Sequence, residues 1–391
     1  MTMTINNEHK KLNVPNLRFK EFEGEWEKCK LGEIATICGG YAFNSKELSS
    51  KKGLYQVVKM GNLYQNNLDL SRTPSFINYI DSKSNKVLLH YGDIAITLTG
   101  TNNKRDFGYS YMFTTEQNLL LNQRCGLIRT EHNPYFVFNL VKTNSFLNQF
   151  FESSTGGTGN QANVSTKSME SFSVYIPKSK EQRKIADLLR LIDERIATQN
   201  KIIDKLQSLI KGIRNDVYGK LRKSVGFNAM ISDVLSYEQP QPYIVENTEY
   251  TAEGIPVLTA NKAFVLGYTS EINGIYDKGD CIIFDDFTLD CKYVDFPFKV
   301  KSSAIKILTA KNKELLRYTF EFLKYLDLST EEHKRHYIAE TQNQQFILPT
   351  EQIVKTIAHI FSTLSVRMET AVKQRNVFEK QKQYLLRQMF I

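Results

Sequence analysis

The chain has 391 residues, more than one hydrophobic core usually contains, so two domains with connecting elements are expected. Its 41% hydrophobic and 24% charged residues, with a mean hydropathy of −0.37, are typical of a globular protein and exclude a disordered or fibrous one. Lys and Arg outnumber Asp and Glu by 51 to 42, and the formal charge of +9 favours a polyanionic partner such as a nucleic acid.

The cysteines and the apolar segments bear on the cellular compartment. The five cysteines are odd in number and no two have the C-x-x-C spacing, so the sequence indicates neither a disulfide framework nor a zinc site. Residues 1–20 lack the apolar segment of a signal peptide, and no apolar run reaches the roughly eighteen residues of a membrane span. We therefore expect a cytoplasmic protein without a metal site of its own.

The first region, from Trp26 to Ile176, is predicted to be a mixed α/β domain. Alternating and β-branched residues predict strands at 55–59, 93–98 and 125–129, and an apolar helix is predicted near 136–151. The region ends in a short strand before a proline, Phe172 to Pro177.

A long helix is predicted after Pro177, because apolar residues recur there at heptad spacing. This spacing is that of a coiled-coil seam about four heptads long. The predicted seam positions are Leu189, Ile192, Ile196, Ile203, Leu206 and Ile210.

The second mixed region, from Lys223 to Gln345, repeats features of the first. Strands are predicted at 255–258, 281–284 and 304–308. Residues 278–283 (KGDCII) echo residues 91–96 (YGDIAI), and residues 255–261 echo residues 55–62. The two regions are therefore interpreted as two versions of one domain.

A second long helix follows Pro349, 172 residues after Pro177, and keeps that offset from the first helix. Arg375 and Lys382 interrupt its heptad pattern. The matched pair favours packing of the two helices on each other, against the alternative of ordinary core packing. The predicted seam positions here are Phe361, Leu364, Met368, Phe378 and Leu385.

Three segments carry partial catalytic motifs, and none is convincing. Residues 157–162 (GTGNQA) match a dinucleotide fingerprint but do not follow a strand. Residues 133–136 (NPYF) lack the second proline of the methyltransferase motif N-P-P-F, so a helix start is favoured. The aspartates between 277 and 290, with Lys292, loosely match a nuclease's acidic cluster, but a surface turn or a hydrogen-bonding loop is the favoured explanation. The sequence thus predicts no catalytic residues.

Polar and basic loops in both regions have the side chains that read DNA. Base edges are read by Arg, Lys, Asn, Gln, Ser and Thr, while cations contact phosphates. Any one such loop can also be a plain solvent-exposed turn. The predicted DNA contacts are Lys59, Asn62, Thr99, Thr101, Asn102, Asn103, Lys104, Arg105, Arg124, Thr158, Asn160, Gln161, Thr259, Asn261, Lys262, Lys292, Lys334, Arg335, Gln342 and Asn343.

The order of several motifs resembles the specificity subunits of type I restriction-modification enzymes over essentially the whole chain. An opening like R-F-x-x-F-x-G-x-W-x-x-x-x-L-G-E-I, here residues 18–34, is typical of that family. So is the stretch from Gly156 to Pro177 followed by Glu181–Ala186 (EQRKIA). The second repeat departs from the pattern, with IVKTIA at 353–358, which leaves its partner contacts undefined.

The resemblance implies an α+β fold: two target recognition domains separated by two long antiparallel coiled-coil helices, related by a pseudo-twofold internal repeat. The corresponding segments are 1–177 and 223–349 for the domains, and 178–222 and 350–391 for the helices. At about 1.5 Å per residue, a helix of roughly 36 residues is long enough to hold the two recognition domains about one DNA turn apart.

The resemblance also implies a function without chemistry in this chain. The partners are double-stranded DNA with a bipartite asymmetric target, two modification subunits and restriction subunits. S-adenosylmethionine, ATP and Mg are expected on those partner subunits, and no cofactor on this chain. The alternatives are a coiled-coil adaptor without sequence-specific DNA binding and a standalone nuclease or methyltransferase.

Overall fold

The computed structural model describes residues 13–156, 160–260, 263–330 and 334–391. The chain divides into two compact units. Unit 1 comprises Met1–Ala197 with Arg375–Ile391, and unit 2 comprises Thr198–Gln374. Within the described ranges, no helix is long and apolar enough to cross a membrane.

Unit 1 is a mixed α/β structure of short strands and short helices. Its strands are β1 (Glu27–Lys30), β2 (Thr36–Gly39), β3 (Tyr55–Val58), β4 (Leu63–Tyr64), β5 (Asn67–Leu68), β6 (Phe76–Ile77), β7 (Ile94–Thr97), β8 (Thr99–Thr101), β9 (Ser110–Met112), β10 (Leu119–Leu121), β11 (Cys125–Arg129), β12 (Thr155–Gly156), β13 (Gln161–Asn163) and β14 (Ser173–Ile176). Its short helices are α1 (Leu31–Ile34), α2 (Pro134–Leu140), α3 (Asn144–Glu152) and α4 (Thr166–Glu170).

Two long helices, α5 (Ser179–Ser224) and α8 (Glu351–Gln388), each contribute one part to each unit. The rest of unit 2 contains the helices α6 (Ile231–Val234) and α7 (Lys313–Leu326). Its strands are β15 (Ala229–Met230), β16 (Leu235–Glu238), β17 (Ile255–Leu258), β18 (Val265–Thr269), β19 (Cys281–Asp285), β20 (Cys291–Val294), β21 (Lys299–Val300), β22 (Ile305–Ala310) and β23 (Gln345–Phe346).

The two units have the same strand order. A four-stranded sheet has the order β2-β11-β7-β9 in unit 1 and β16-β22-β19-β20 in unit 2. Each unit also has a parallel strand pair, β3 with β10 in unit 1 and β17 with β21 in unit 2. In each unit a strand near the start pairs with the strand before the proline, β1 with β14 and β15 with β23. The echoed sequence segments lie in β7 and β19 and in β3 and β17, so the sequence echo reflects equivalent places in the strand order.

The apolar helix predicted near 136–151 is two helices. Pro134 begins α2, and the side chain of Asn133 accepts a hydrogen bond from the backbone N–H of Phe136 at 3.0 Å. A new helix begins after Thr143, whose hydroxyl accepts from the N–H of Phe146. A side-chain oxygen that binds a free N–H at a helix start is an N-cap, and the two caps at Asn133 and Thr143, ten residues apart, define two helices.

In unit 1, the predicted seam residues belong to the core that the long helices share with the globular part. Leu189 and Ile192 of α5 lie in one buried cluster with Leu385 of α8 and with Trp26. The indole of Trp26 contacts the ring of Phe390 edge-to-face at 6.3 Å. The first part of α5 and the last part of α8 therefore pack within one core.

In unit 2, the last part of α5 and the first part of α8 share a core in the same way. Tyr218 and Leu221 of α5 cluster with Phe361 and Leu364 of α8. The remaining predicted seam residues are all buried or half-buried: Ile196, Ile203, Leu206, Ile210, Met368 and Phe378.

The interruption of the heptad pattern at Lys382 has a structural partner. Its ammonium lies 2.6 and 2.7 Å from the two carboxylate oxygens of Asp193 on α5. The hydroxyl of Tyr135 on α2 donates to the same carboxylate. Asp193 thus connects α2, α5 and α8 within unit 1, and the cation at the seam position is matched by an anion on the facing helix.

Candidate nucleic-acid interface

A three-stranded ribbon in unit 1, of order β12-β13-β8, presents one polar face. Thr99 pairs with Asn163, and Thr101 pairs with Gln161. Side chains alternate between the faces of a strand, so these four lie on one face. Gln161 and Asn163 are exposed and the two threonines are half-buried.

The opposite face of the ribbon is held against the core. Ala162 is only 3% exposed. A Cβ added at Gly100 would lie 2.4 Å from Cδ1 of Phe107, so only glycine lets β8 approach this ring. The polar face is in solvent, where the side chains of Gln161 and Asn163 are exposed and the hydroxyl of Thr99 donates to Oδ1 of Asn163 at 3.0 Å.

The hairpin tip that follows β8 is shaped by a carboxylate. Asp106 accepts hydrogen bonds from the backbone N–H of Thr101 at 2.8 Å and from its hydroxyl at 2.6 Å. These two bonds hold the pKa of Asp106 below its usual value. Asn103 has a φ of 59°, in the left-handed region that Asn tolerates in turns. The backbone N–H of Asn102 donates to the carbonyl of Asn160 at 2.9 Å.

Cations surround the ribbon. Lys104, Arg105 and Arg124 are exposed, and so is Asn160 beside the tip. The guanidinium of Arg105 lies 5.0 Å from the ring centroid of Phe151, which supports its stem while its N–H groups remain available. Amide and hydroxyl groups on this face can hydrogen-bond to base edges, and the basic side chains at its edge can contact the neighbouring phosphates.

Lys59 and Asn62 do not belong to this surface. Asn62 is 2% exposed, its amide donates to the carbonyls of Asp69 and Arg72, and its oxygen accepts from the N–H of Lys59. The ammonium of Lys59 donates to the hydroxyl of Ser75. The hydrogen-bonding groups of Asn62 are buried and close a turn, which disfavours the predicted DNA contact there.

The second surface, in unit 2, combines the turn after β19 with the segment before β23. Lys334 and Arg335 are exposed, and the guanidinium of Arg335 lies 5.9 Å from the ring of Phe287. Lys334 forms an ion pair with Glu340 at 2.9 Å, and Lys292 is half-buried on β20. Lys334 and Arg335, with Phe287 of the turn after β19, form a basic surface at the end of that strand.

Three predicted contacts in unit 2 are enclosed or hydrogen-bonded within the chain. Thr259 is 7% exposed, so its side chain is enclosed. The amide of Gln342 donates to the carbonyl of Ile338 at 2.9 Å, and that of Asn343 donates to the carbonyl of Ala339 at 3.2 Å. Their donors close a local turn. Thr158, Asn261 and Lys262 lie outside the described residues.

The aspartates between 277 and 290 are dispersed among separate contacts. Asp280 accepts from the Tyr293 hydroxyl at 2.6 Å, and Asp290 pairs with Lys324 at 3.0 Å. Asp285 caps its own turn through the N–H groups of residues 287 and 288. Among the described residues, no group of three or more His, Cys, Asp or Glu side chains is placed to hold a metal ion. The segment after Asn160 enters the strand β13 instead of the helix that a dinucleotide fingerprint requires.

A cleft of about 1000 Å³ lies beside the ribbon in unit 1. Arg105, Lys142 and Lys382 are among its lining residues. The ammonium of Lys142 lies 3.4 Å from the ring centroid of Phe138. Burial, and then repulsion from Lys382, lower the pKa of Lys142 to about 7.

Asn163 and Phe287 lie in polar loops, 153–165 and 285–292, that the sequence suggests for DNA reading, but neither is among the individually predicted contacts. The alternation of polar and small side chains in Gln161-Ala162-Asn163 is the pattern of a strand with one exposed face, and it could have identified Asn163. No comparable pattern surrounds Phe287, whose neighbours come from a distant segment.

Comparison with known proteins finds a family model that is similar to part of the chain. Residues 23–208 match the type I restriction modification DNA specificity domain. The type I restriction enzyme EcoR124I/EcoR124II specificity subunit of Escherichia coli is 44% identical over 126 residues, which are 30% of this chain and 31% of that relative. The aligned segment therefore spans less than a third of the curated relative's length.

A solved structure matches over nearly the whole chain. The S subunit of a type I restriction-modification system from M. genitalium has a TM-score of 0.63 to this chain, with 15% identity, and the match covers 97% of this chain and 99% of that one. At this identity the match shows a shared fold. Residues 23–208 are thus similar in sequence to the type I restriction modification DNA specificity domain, and the chain as a whole is similar in fold to the S subunit of a type I system.

Proposed function

We propose that this chain is the DNA-recognition subunit of a type I restriction-modification complex and reads a bipartite, asymmetric target. The observation that carries the proposal is the match of residues 23–208 to the DNA specificity domain. The polar ribbon of unit 1, with amides and hydroxyls on its exposed face, supports it by supplying groups that can bond base edges.

The repeated strand order supports one half-site per recognition domain. The proposed domains are 1–177 and 223–349, joined by the helices 178–222 and 350–391. Opposite ends of the two long helices share a core in each unit, which supports antiparallel pairing as a coiled coil and a pseudo-twofold repeat. The paired helices would set the unread gap between the half-sites.

The chemistry is proposed to belong to partner subunits in the cytoplasm. Two modification subunits would bind S-adenosylmethionine and methylate adenine, and restriction subunits would use ATP and Mg to cut DNA. This chain would supply DNA recognition and no catalytic group. The separate contacts that its aspartates make, instead of one acidic cluster, are compatible with that role.

The proposal is tested by mapping N6-methyladenine in cells that express this chain with its modification subunits. We expect methylation at a two-part motif with a fixed gap, and exchange of residues 223–345 for those of another specificity subunit should change only one half. An unchanged methylation pattern, with the modification subunits shown to be active beside another specificity subunit, would favour the coiled-coil adaptor instead.

A further inference from the structure

The buried carboxylate of Asp286 lies between the two loops that form the basic surface of unit 2. Asp286 directly follows β19 and is 1% exposed. Its Oδ1 accepts hydrogen bonds from the backbone N–H of His336 at 3.1 Å and of Tyr337 at 2.8 Å. Its backbone carbonyl accepts a further bond from the N–H of His336 at 3.0 Å. One residue thus holds the segment that carries Lys334 and Arg335.

The charge of Asp286 is matched by one buried cation. The ammonium of Lys306 on β22 is 3.5 Å from Oδ2 of Asp286, and the Lys306 side chain is also 1% exposed. Lys306 donates in addition to the side-chain oxygen of Gln239 at 2.8 Å. A buried ion pair adds little net stability compared with apolar residues of similar volume, but it requires one geometry. This pair is therefore better suited to orienting a segment than to stabilising the core.

Unit 1 makes the equivalent connection through its backbone. There the chain leaving β7 becomes β8, which pairs with β13 in the segment that precedes β14. In unit 2 the chain leaving β19 becomes a turn, and the segment that precedes β23 is held by Asp286. The side chain of Asp286 replaces in unit 2 the strand pairing that builds the polar ribbon of unit 1.

We propose that Asp286 is a positioning residue for DNA recognition by unit 2, joining the turn at 285–290 to the basic segment at 334–343. The inference rests on the proposed function. Arg335 is the group most directly placed by this connection, since its guanidinium lies over Phe287 of the same turn and 3.4 Å from the hydroxyl of Ser303. The surface centred on Phe287 and Arg335 is the part of unit 2 that contacts DNA.

Substitution of Asp286 alone would leave Lys306 buried without a counter-ion, and the protein could unfold. Two double variants avoid this because both remove the ion pair. Asp286→Asn with Lys306→Met keeps an oxygen that can accept from the N–H groups of His336 and Tyr337. Asp286→Ala with Lys306→Met removes that oxygen. The two variants differ in the side-chain amide at position 286, which supplies the acceptor that holds the basic segment.

Both variants are expressed with the modification subunits, N6-methyladenine is mapped, and thermal unfolding of the purified chains is compared. We expect a lower unfolding midpoint for the Ala variant, because two buried N–H groups lose their acceptor, with both chains still folded at the growth temperature. We expect an intact two-part motif for the Asn variant, and relaxed base selectivity, by about tenfold or more, at one half of the motif for the Ala variant. The other half should remain intact, which a general loss of stability would not produce.

Equal motifs for the two variants, whether both intact or both relaxed, would overturn the inference. The wild-type chain run in parallel separates this result from a failure of the proposed function. If the wild-type chain directs no two-part motif, the proposed function fails and the role of Asp286 fails with it.

Discussion

The carboxylate of Glu321 on α7 connects both long helices in unit 2, and its substitution tests the account of how the helices are held. Its Oε2 accepts from Nε and Nη2 of Arg214 on α5, at 3.0 and 2.7 Å. Its Oε1 accepts from Nη2 of Arg317 at 3.0 Å, and the same Nη2 reaches the carbonyl of Phe361 and the hydroxyl of Ser365 on α8. The Glu321 side chain is 2% exposed.

Glu321→Gln is expected to destabilise unit 2 strongly, because two partly enclosed cations lose their counter-ion. Breaking a buried pair costs about 3–5 kcal/mol. For a unit of this size, that corresponds to a fall in the unfolding midpoint of about 6–20 °C. A triple variant, Arg214→Met with Arg317→Met and Glu321→Leu, is expected to recover most of the loss, since apolar residues of similar volume often replace a buried ion cluster at little cost.

The measurement is urea and thermal unfolding of the full chain, followed by far-UV circular dichroism. Asp216→Asn is the matched control on α5: Asp216 pairs with Lys220 at 2.8 Å, but both side chains are more than half exposed, so the change should cost less than about 1 kcal/mol. If Glu321→Gln lowered the free energy of unfolding no more than Asp216→Asn does, the hydrogen-bond network around Glu321 would not hold the two long helices.

Two further predictions concern unit 1. Gln161→Ala should weaken specific DNA binding by roughly 5- to 150-fold and relax selectivity at one base position, because an exposed amide can bond a base edge. Lys104→Ala should weaken binding to all sequences and lower the slope of log binding constant against log salt concentration by about one. Stability should rise as pH increases from about 7 to 10.5, because the lowered pKa of Lys142 means that the unfolded chain binds more protons in this window. Lys142→Met should be more stable than wild type at pH 7 and lose that rise.

Fluorescence anisotropy with target and scrambled duplexes at several salt concentrations separates the first two variants. Equal losses of Gln161→Ala on both duplexes would contradict a role in base recognition. For Lys142, urea midpoints at pH 7 and pH 9 are compared between the wild type and the variant, and parallel changes with pH would assign the dependence to other groups.

Local patterns in the sequence were sufficient for the repeat, the long helices and several of the strands. Heptad spacing identified the inward faces of α5 and α8, because a helix that buries one side must repeat its apolar residues about every 3.5 positions. Alternation and β-branched residues located the strands β3, β7, β11, β17, β19 and β22 to within a residue or two. These signals depend on neighbours in the chain alone.

The location of the candidate DNA-binding surfaces depended on contacts between segments that are distant in the sequence. Asn62 has the composition of a DNA contact, but hydrogen bonds to Asp69 and Arg72 enclose it. Gln161 acquires its place on a polar face only by pairing with Thr101, 60 residues earlier in the chain, and Asp286 binds backbone groups 50 and 51 residues later. Side-chain exposure and hydrogen-bond partners are properties of the folded chain, so tertiary structure alone decided which polar loops face solvent and which close turns.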